Sequence, residues 1–239
     1  MIRKAIRISS YDVFPSGELK PSALQRYMQQ LAREDCDQVG CTYASMREQN
    51  AVFVLTKLGL DMFEPVYSNE VITVNTMNNR TEGVSFYREF FFYRNDELIG
   101  RCTTQWVIVR YDTRAIVRPR ELTYPIVNYN FDCVSVDIPR RLGDASRAEF
   151  LCDREVVLSD LDENNHLNNC VYSDIVFDSI PLAGIPSVSG MRIVFQHEAR
   201  RGDILHISYH KTDRGCVVFA NNSTTGQPCF EAECMYTEK

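Results

Sequence analysis

The sequence lacks the features that mark membrane, secreted and nucleic-acid-binding proteins. No apolar run approaches the roughly 20 residues that a membrane-spanning helix needs. Residues 1–8 carry three basic side chains but none of the apolar stretch of a secretory signal. Basic residues are outnumbered, with 26 Lys and Arg against 32 Asp and Glu, which disfavours nucleic acid as a partner. These absences predict a protein that acts in the cytoplasm without binding a membrane or nucleic acid.

The cysteines also lack a pattern that would bind a metal. Nine are present, and no two have the C-x-x-C spacing of common zinc and redox motifs. Cys36 and Cys41, like Cys229 and Cys234, are separated by four residues, but no histidine lies near either pair. Reduced thiols, no metal and no cofactor are therefore expected.

Apolar periodicity predicts two helices, one early and one late in the chain. Residues 22–39 place apolar side chains at intervals of three and four, and Ser22 and Gln25 have the spacing of a capping box. Residues 168–180 repeat the apolar pattern and begin with two asparagines suited to capping. Other segments are rich in β-branched and aromatic residues, which is typical of strands. The predicted strands are 51–62, 70–79, 84–94, 98–111, 151–158, 190–197, 203–212, 215–222 and 229–237.

The order of these elements, a helix followed by four strands, occurs twice and indicates an internal duplication. Residues 12–19 align without a gap on residues 160–167, and residues 68–74 align on residues 201–207. Neither a lone amphipathic helix nor a lone sheet can bury its apolar face. We therefore expect an α+β fold of two similar halves, each a long antiparallel sheet wrapped around one central helix.

The first half is placed at residues 1–111, a linker at 112–149 and the second half at 150–239. The linker contains several prolines and arginines. Only the second half carries a set of side chains suited to catalysis. The aligned positions are Asp162, Asn164 and His166 in the second half and Phe14, Ser16 and Glu18 in the first.

Residues 160–169, Asp-Leu-Asp-Glu-Asn-Asn-His-Leu-Asn-Asn, are the most informative stretch of the chain. If this stretch is extended, its alternate residues place a carboxylate, a carboxamide and an imidazole on one face. Such a set can act together on a carbonyl group. N–H groups near Asn168, at the start of the following helix, are suited to holding an oxyanion. Taken singly, such aspartates and asparagines are more often turn and cap residues.

This decapeptide, followed by an amphipathic helix, resembles the motif of the acyl-ACP thioesterases, the double-hotdog enzymes of bacteria and plant plastids. Three more segments are similar to the family's first repeat, its Trp-containing strand and its glutamate-bearing strand, namely residues 10–40, 105–109 and 195–203. The resemblance implies a tandem hotdog that hydrolyses fatty acyl-ACP thioesters, which releases free fatty acid and ends chain elongation. It implies a catalytic set of Asp162, Asn164, His166 and Glu198. The absence of a plastid leader favours the bacterial branch.

One departure from the family pattern limits the mechanism. Some members have Cys directly after the glutamate, but this chain has Ala199, so a mechanism with that thiol as nucleophile cannot operate. Glu198 or Asp162 could activate water or attack the carbonyl directly, and we favour activation of water by Glu198. His166 could orient the attacking group or protonate the leaving sulfur. Asn164 could donate to the carbonyl oxygen or hold His166.

The substrate implied by the resemblance needs an apolar tunnel and a basic docking surface. We expect the tunnel between helix and sheet in the first half, with Trp106 in the core rather than in substrate recognition. The expected tunnel walls include Met28, Leu31, Phe53 and Phe86. The expected partner, acyl carrier protein, is acidic and requires local positive charge. The candidates are Arg110, Arg114, Arg118, Arg120, Arg140, Arg141 and Arg147, although a solvated basic loop explains them equally well.

Two other functions stay open on the sequence. An acyl-CoA thioesterase would hydrolyse CoA esters at rates that match those of carrier-protein esters. A non-catalytic acyl-thioester-binding hotdog would bind such esters without turnover. A duplicated hotdog contains within one chain the interface that single hotdogs form by dimerising, so a monomer and a homodimer are both compatible with the sequence.

Overall fold

The computed structural model describes residues 1–121, 128–130 and 134–238. Within these ranges the chain forms ten strands and three α-helices. The strands are β1 (Ile2–Arg7), β2 (Ala51–Met62), β3 (Val71–Glu82), β4 (Ser85–Arg94), β5 (Glu97–Arg110), β6 (Glu149–Glu155), β7 (Pro186–Phe195), β8 (Ile204–Thr212), β9 (Gly215–Asn222) and β10 (Gln227–Glu238). The helices are α1 (Pro21–Gln38), α2 (Tyr43–Glu48) and α3 (Val171–Ser179). Short 3₁₀ turns occupy Pro119–Glu121, Ala145–Arg147 and Leu158–Asp160.

The ten described strands form one antiparallel sheet in the order β1-β3-β4-β5-β2-β7-β10-β9-β8-β6. This order is symmetric about the central β2–β7 pair, so each strand of the first half has a counterpart in the second. Backbone pairing of β2 with β7 joins the two halves into a continuous sheet. One large sheet with few helices confirms the α+β class. The predicted boundaries of the halves stay predictions, and residues 122–127 and 131–133 of the predicted linker lie outside the described residues.

Two loops repeat the same backbone contacts, which confirms the predicted alignment of the halves. The bridged pairs are Val13–Leu19 and Leu161–Leu167. Leu19 N donates to Val66 O at 2.7 Å, and Leu167 N donates to Ala199 O at 2.8 Å. Leu167 follows Leu19 by 148 residues and Ala199 follows Val66 by 133 residues, which are the two offsets of the sequence alignment. The loop that carries the decapeptide therefore has a structural twin in the first half.

The helix α1 lies within one residue of its predicted bounds, but the predicted capping box is wrong. Pro21 takes the first helical position, which suits its fixed φ and missing N–H group. Ser22 is therefore already inside the helix, too late to cap it, and is fully buried. Gln25 instead donates to Ser173 Oγ on α3 at 2.7 Å. This contact ties the helix of one half to the helix of the other.

The second helix, α3, begins later than predicted because the asparagines before it form its entry turn. Asn168 Oδ1 accepts from Cys170 N at 2.9 Å, and the helix ends at Ser179, before Pro181. A single buried cluster includes apolar side chains from α1, α3 and strands of both halves. Within the described ranges, each helix falls short of the length and apolar character that a bilayer crossing demands.

Two elements are absent from the sequence-based prediction. β1 (Ile2–Arg7) alternates poorly because it holds three basic residues, a composition common on exposed sheet edges. The short helix α2 (Tyr43–Glu48) has only six residues, and its signal is the cap Thr42, whose side chain accepts from Ser45 N at 3.1 Å. Its position matters because Tyr43 reaches the candidate site.

Candidate active site

The decapeptide forms a tight loop, so the predicted extended face is wrong. Asp162 N donates to His166 O at 2.9 Å, which closes the loop between the bridged leucines. The Asp162 carboxylate accepts from Asn164 N at 2.8 Å and from His166 N at 3.2 Å. Asn165 adopts a positive φ of 62°, which asparagine tolerates better than most residues. Asp162 therefore shapes the turn that presents Asn164 and His166.

Glu198 reaches the loop from the segment that follows β7. That strand ends at Phe195, and the backbone contact between Leu167 and Ala199 holds the segment against the loop. As a result, His166 Nε2 lies 3.4 Å from Glu198 Oε2. Ala199 is fully buried, so the position where some relatives of the resembled family have a thiol points into the core here. The structure thus brings together all four predicted site residues: Asp162, Asn164, His166 and Glu198.

Arg114 joins this cluster from the start of the predicted linker, a contact that the sequence analysis did not anticipate. Its guanidinium forms an ion pair with the Glu198 carboxylate oxygen that also faces His166. Arg114 lies in the turn after β5 with φ of 59°, and its N–H group donates to Arg110 O at 3.0 Å. In the sequence it is one arginine among several near the linker, so nothing distinguished it.

The surroundings of His166 favour its neutral form. Burial lowers the pKa of this imidazole below its ordinary value, and Glu198 opposes the shift by raising the pKa. The positive charges of Arg114 and Arg200 lower the pKa further. A neutral imidazole beside a carboxylate can accept a proton at neutral pH.

Tyr43 fixes the orientation of Asn164. Its hydroxyl donates to Asn164 Oδ1 at 2.9 Å across 121 residues of sequence. With the oxygen engaged, the NH₂ group of Asn164 is the part of the amide left to donate to a substrate. No sequence pattern indicated this contact, because it depends on the unpredicted helix α2.

Two neighbouring cavities meet at this cluster. The smaller, about 130 Å³, is lined by Arg114, Asp162, Asn164, His166 and Glu198 among others. The larger, about 280 Å³, lies between α1 and the sheet in the first half, and Val52, Phe53 and Asn164 line both cavities. Phe53, Phe86 and Trp106 line the larger cavity, so Trp106 is a wall residue as well as a packing residue. Met28 and Leu31, the other proposed walls, lie in the buried core instead.

Other candidate groups have structural partners. The N–H group of Asn168 donates to Asp160 O at 2.9 Å, so the oxyanion donor expected there is already engaged. The Asp160 carboxylate is held by both guanidinium nitrogens of Arg154, at 2.6 and 2.9 Å. His197 Nδ1 lies 2.8 Å from Pro228 O. Among the described residues, no group of three or more potential ligands is arranged to hold a metal ion.

Comparisons with known proteins point to one family. The family described as acyl-ACP thioesterase N-terminal domain matches residues 1–125, and that described as acyl-ACP thioesterase C-terminal domain matches residues 144–237. The chain is 24% identical over 214 residues to the palmitoyl-acyl carrier protein thioesterase of Gossypium hirsutum, covering 83% of this chain and 52% of that protein. It is 22% identical over 224 residues to oleoyl-acyl carrier protein thioesterase 2 of Arabidopsis thaliana, covering 83% and 59%. The chain thus spans about half the length of the curated relatives it matches.

Solved structures share the whole fold. An acyl-ACP thioesterase from Bacteroides thetaiotaomicron superposes with a TM-score of 0.88 at 19% identity, covering 98% of this chain and 97% of that one. The 12:0-ACP thioesterase from Umbellularia californica superposes with a TM-score of 0.82 at 19% identity, covering 100% and 97%. These likenesses confirm the predicted tandem hotdog.

Proposed function

This chain belongs to the acyl-ACP thioesterase family, and we propose that it hydrolyses the thioester of a fatty acyl group carried by acyl carrier protein. The observation that carries the proposal is the junction of the two cavities. His166, Glu198 and Asn164 line the smaller polar cavity, and the larger apolar cavity opens directly beside Asn164. A thioester at this junction would place its acyl chain in the larger cavity and its carbonyl against the three polar side chains.

Glu198 is proposed as the base that activates water. One carboxylate oxygen is engaged by Arg114 and faces His166, which leaves the other to accept a proton from water. The water oxygen then bonds to the acyl carbon while its proton passes to Glu198. Asp162 is a weaker candidate for this role, because its carboxylate accepts from two backbone N–H groups of its own loop.

The remaining steps fall to Asn164 and His166. The Asn164 NH₂ group, oriented by Tyr43, would donate to the oxyanion that forms on the carbonyl oxygen. When the carbon–sulfur bond breaks, the protonated Glu198 carboxyl turns to bring its proton to His166 Nε2, which lies 3.4 Å from the other carboxyl oxygen, and His166 passes the proton to the leaving thiolate. The products are a free fatty acid and the carrier's thiol, and release of the acid ends elongation of that chain.

The carrier protein is proposed to dock on the arginines near the linker. Arg118, Arg120, Arg140, Arg141 and Arg147 are exposed. Arg110 and Arg114 are instead paired with Glu121 and Glu198, which makes them less suited to meeting an acidic partner. A reducing compartment such as the cytoplasm is the proposed location, and the free thiols of the eight described cysteines are compatible with it.

The test is the release of free fatty acid from a panel of acyl-ACPs and matching acyl-CoAs, measured by mass spectrometry. Glu198→Gln keeps the shape of the side chain but removes the base, and should lower kcat by about 100-fold or more. Glu155→Gln, at an exposed position of β6, is the matched control and should leave kcat unchanged.

Each outcome distinguishes the candidates. Release from carrier-protein esters that collapses only in Glu198→Gln supports the proposal. Equal rates on CoA esters would make the protein an acyl-CoA thioesterase. Binding of acyl-ACP without any release would identify a non-catalytic binding protein and refute hydrolysis.

A further inference from the structure

The larger cavity changes character with distance from the catalytic cluster. Near Asn164 the lining combines apolar walls, where the ring centroids of Phe53 and Phe86 lie 5.9 Å apart, with the half-exposed Arg33–Glu163 ion pair. Farther from the cluster the lining includes Asp35 of α1, Arg88 of β4 and Asn78 of β3. The strand order β2-β5-β4-β3 puts Arg88 and Asn78 two and three strand spacings from Phe53, about 10 and 14 Å, and Arg88 lies two residues beyond Phe86 on β4.

A buried ion pair occupies this far end. Arg88 Nη1 lies 2.8 Å from Asp35 Oδ2, and the two side chains are only 5% and 8% exposed. The same nitrogen donates to Thr76 Oγ1 at 3.2 Å, and Arg88 Nη2 donates to Cys36 Sγ at 3.6 Å. The amino group of Met1 contacts the other Asp35 oxygen at 2.7 Å. Both charged side chains are held in place, and both line the cavity.

We propose that the Asp35–Arg88 pair is the end wall of the acyl site and limits acyl chain length through its charge. This inference rests on the proposed function and concerns which acyl chains the same site accepts. Each methylene buried along the aromatic wall should improve binding by roughly fourfold. A methylene that reaches the pair instead desolvates two charged groups. The free-energy cost of this desolvation exceeds the gain from the few remaining apolar contacts.

A charged wall, unlike a purely steric one, should favour acyl chains with a terminal hydroxyl. A chain one step too long for the cavity should bind better when its terminal carbon carries a hydroxyl, because the hydroxyl can hydrogen-bond to Asp35 or Arg88. A wall that acts only by filling space would reject both chains equally. The terminal hydroxyl therefore separates a polar limit from a steric one.

The first experiment measures binding and needs no turnover. Trp106 is the single tryptophan and lines the cavity, so its fluorescence can report the binding of free fatty acids of increasing length, kept below their micelle concentrations. The double variant Asp35→Leu/Arg88→Met replaces both buried charges together, and the Met1 amino group that loses its Asp35 contact is about half exposed to solvent. Arg26→Met/Asp174→Leu removes a 2.8 Å ion pair between α1 and α3 that lines neither cavity, and is the matched control.

The wild-type protein and the control should share one limiting length, beyond which affinity no longer rises. At the first longer chain, the Asp35→Leu/Arg88→Met variant should bind at least tenfold tighter than wild type. The terminal-hydroxyl form of that chain should be preferred by wild type and disfavoured by the variant. An identical limiting length in wild type and double variant, or no preference for the hydroxyl, would overturn the proposal.

Hydrolysis of acyl-ACPs then tests the same limit in turnover. The double variant should release longer fatty acids than wild type, with the control unchanged. If wild type binds chains with this length limit but releases no acid, the proposed hydrolysis is refuted and the end-wall proposal is still supported. Release with the same product lengths in both proteins would refute the end wall and leave hydrolysis standing.

Discussion

At the scale of single residues, the proposed catalytic groups depend on neighbours that do not themselves meet the substrate carbonyl. Tyr43 fixes the amide of Asn164, and Arg114 holds the carboxylate of Glu198. Tyr43 comes from the first half and Arg114 from the start of the predicted linker, whereas the proposed catalytic residues come from the second half. Changes to these two residues should therefore alter the chemical step without removing a reacting group.

Replacement of Tyr43 by Phe should lower kcat about three- to tenfold with little change in KM. The lost hydrogen bond frees the Asn164 amide to rotate, so the oxyanion loses a preoriented donor in the transition state. Steady-state kinetics on one acyl-ACP give the two constants separately. Tyr11→Phe, at a position 80% exposed, should match wild type. A rise in KM with unchanged kcat would mean that Tyr43 serves substrate binding alone.

Replacement of Arg114 by Gln should move the acidic limb of the pH–rate profile to higher pH. The Arg114 charge helps to lower the pKa of His166, so its loss raises that pKa. The imidazole then becomes protonated at a higher pH and loses its ability to accept a proton there. Values of kcat/KM between about pH 5 and 8 report the limb. Arg201→Gln is an exposed control, and an unshifted limb in R114Q would remove His166 from the proton path.

At the scale of elements, the loop that carries the proposed catalytic residues is held at its base by an ion pair. Arg154 of β6 donates two hydrogen bonds to the Asp160 carboxylate, and Val157 N donates a third at 2.9 Å. In the twin loop of the first half, Asp12 takes the place of Asp160 and accepts from Tyr27 at 2.5 Å. The same turn is thus stabilised by different partners, and only one of the two loops carries the proposed catalytic set.

Asp160→Asn should lower the free energy of unfolding by about 1–3 kcal/mol at pH 7. Burial alone would raise the pKa of Asp160, but the hydrogen bonds from Arg154 and Val157 outweigh it and leave the pKa lowered. A lowered folded-state pKa contributes stability above the unfolded-state value, near 4, that is lost as the pH falls through the folded-state value. Urea unfolding should therefore show a larger difference in the free energy of unfolding between D160N and wild type at pH 7 than at about pH 3.

Asp153→Asn supplies the control for this prediction. Asp153 lies on the same strand as Arg154, is 56% exposed and pairs with His206. Its replacement should cost less than about 0.5 kcal/mol at either pH. If D160N shows the same loss at both pH values, charge is not what stabilises the loop.

At the scale of the whole molecule, the two halves should unfold as one unit. The sheet is continuous across β2 and β7, and one buried cluster extends through both halves. Glu18 adds a further tie, since its carboxylate accepts from Ser187 Oγ at 2.9 Å and from Val188 N at 3.1 Å, both on β7. Glu18 stands at the position aligned with His166. In the first half this position therefore contributes to the contact between the halves.

Ile207→Ala tests this coupling with a probe in the opposite half. Ile207 is fully buried in β8, and its truncation should cost about 2–5 kcal/mol. The fluorescence of Trp106, in the first half, should report the lowered urea midpoint together with far-UV circular dichroism. Lys211→Ala, exposed on the same strand, should leave the midpoint unchanged. A Trp106 midpoint that stays at the wild-type value in I207A would show that the halves unfold independently.

Local sequence patterns account for most of the elements and for the residues of the proposed site. Strand β2 matches its predicted bounds, and the Asn95-Asp96 turn takes the positive φ values of 47° and 66° that such residues favour in tight hairpins. These features depend on local periodicity and turn chemistry, which are set by residues close together in the sequence. The internal alignment likewise located the functional loop, because its spacing survives in both halves.

Contacts between distant segments complete the site, and these contacts appear only in the folded structure. Arg114 meets Glu198 across 84 residues and Tyr43 meets Asn164 across 121, and no local pattern encodes contacts at such separations. The same holds for the charged end of the larger cavity, where Asp35 and Arg88 meet across 53 residues. The sequence left the decapeptide open between an extended form and a turn, and hydrogen bonds from its own backbone to Asp162 favour the turn. Periodicity records which face a residue occupies, whereas packing of the two halves decides which faces meet.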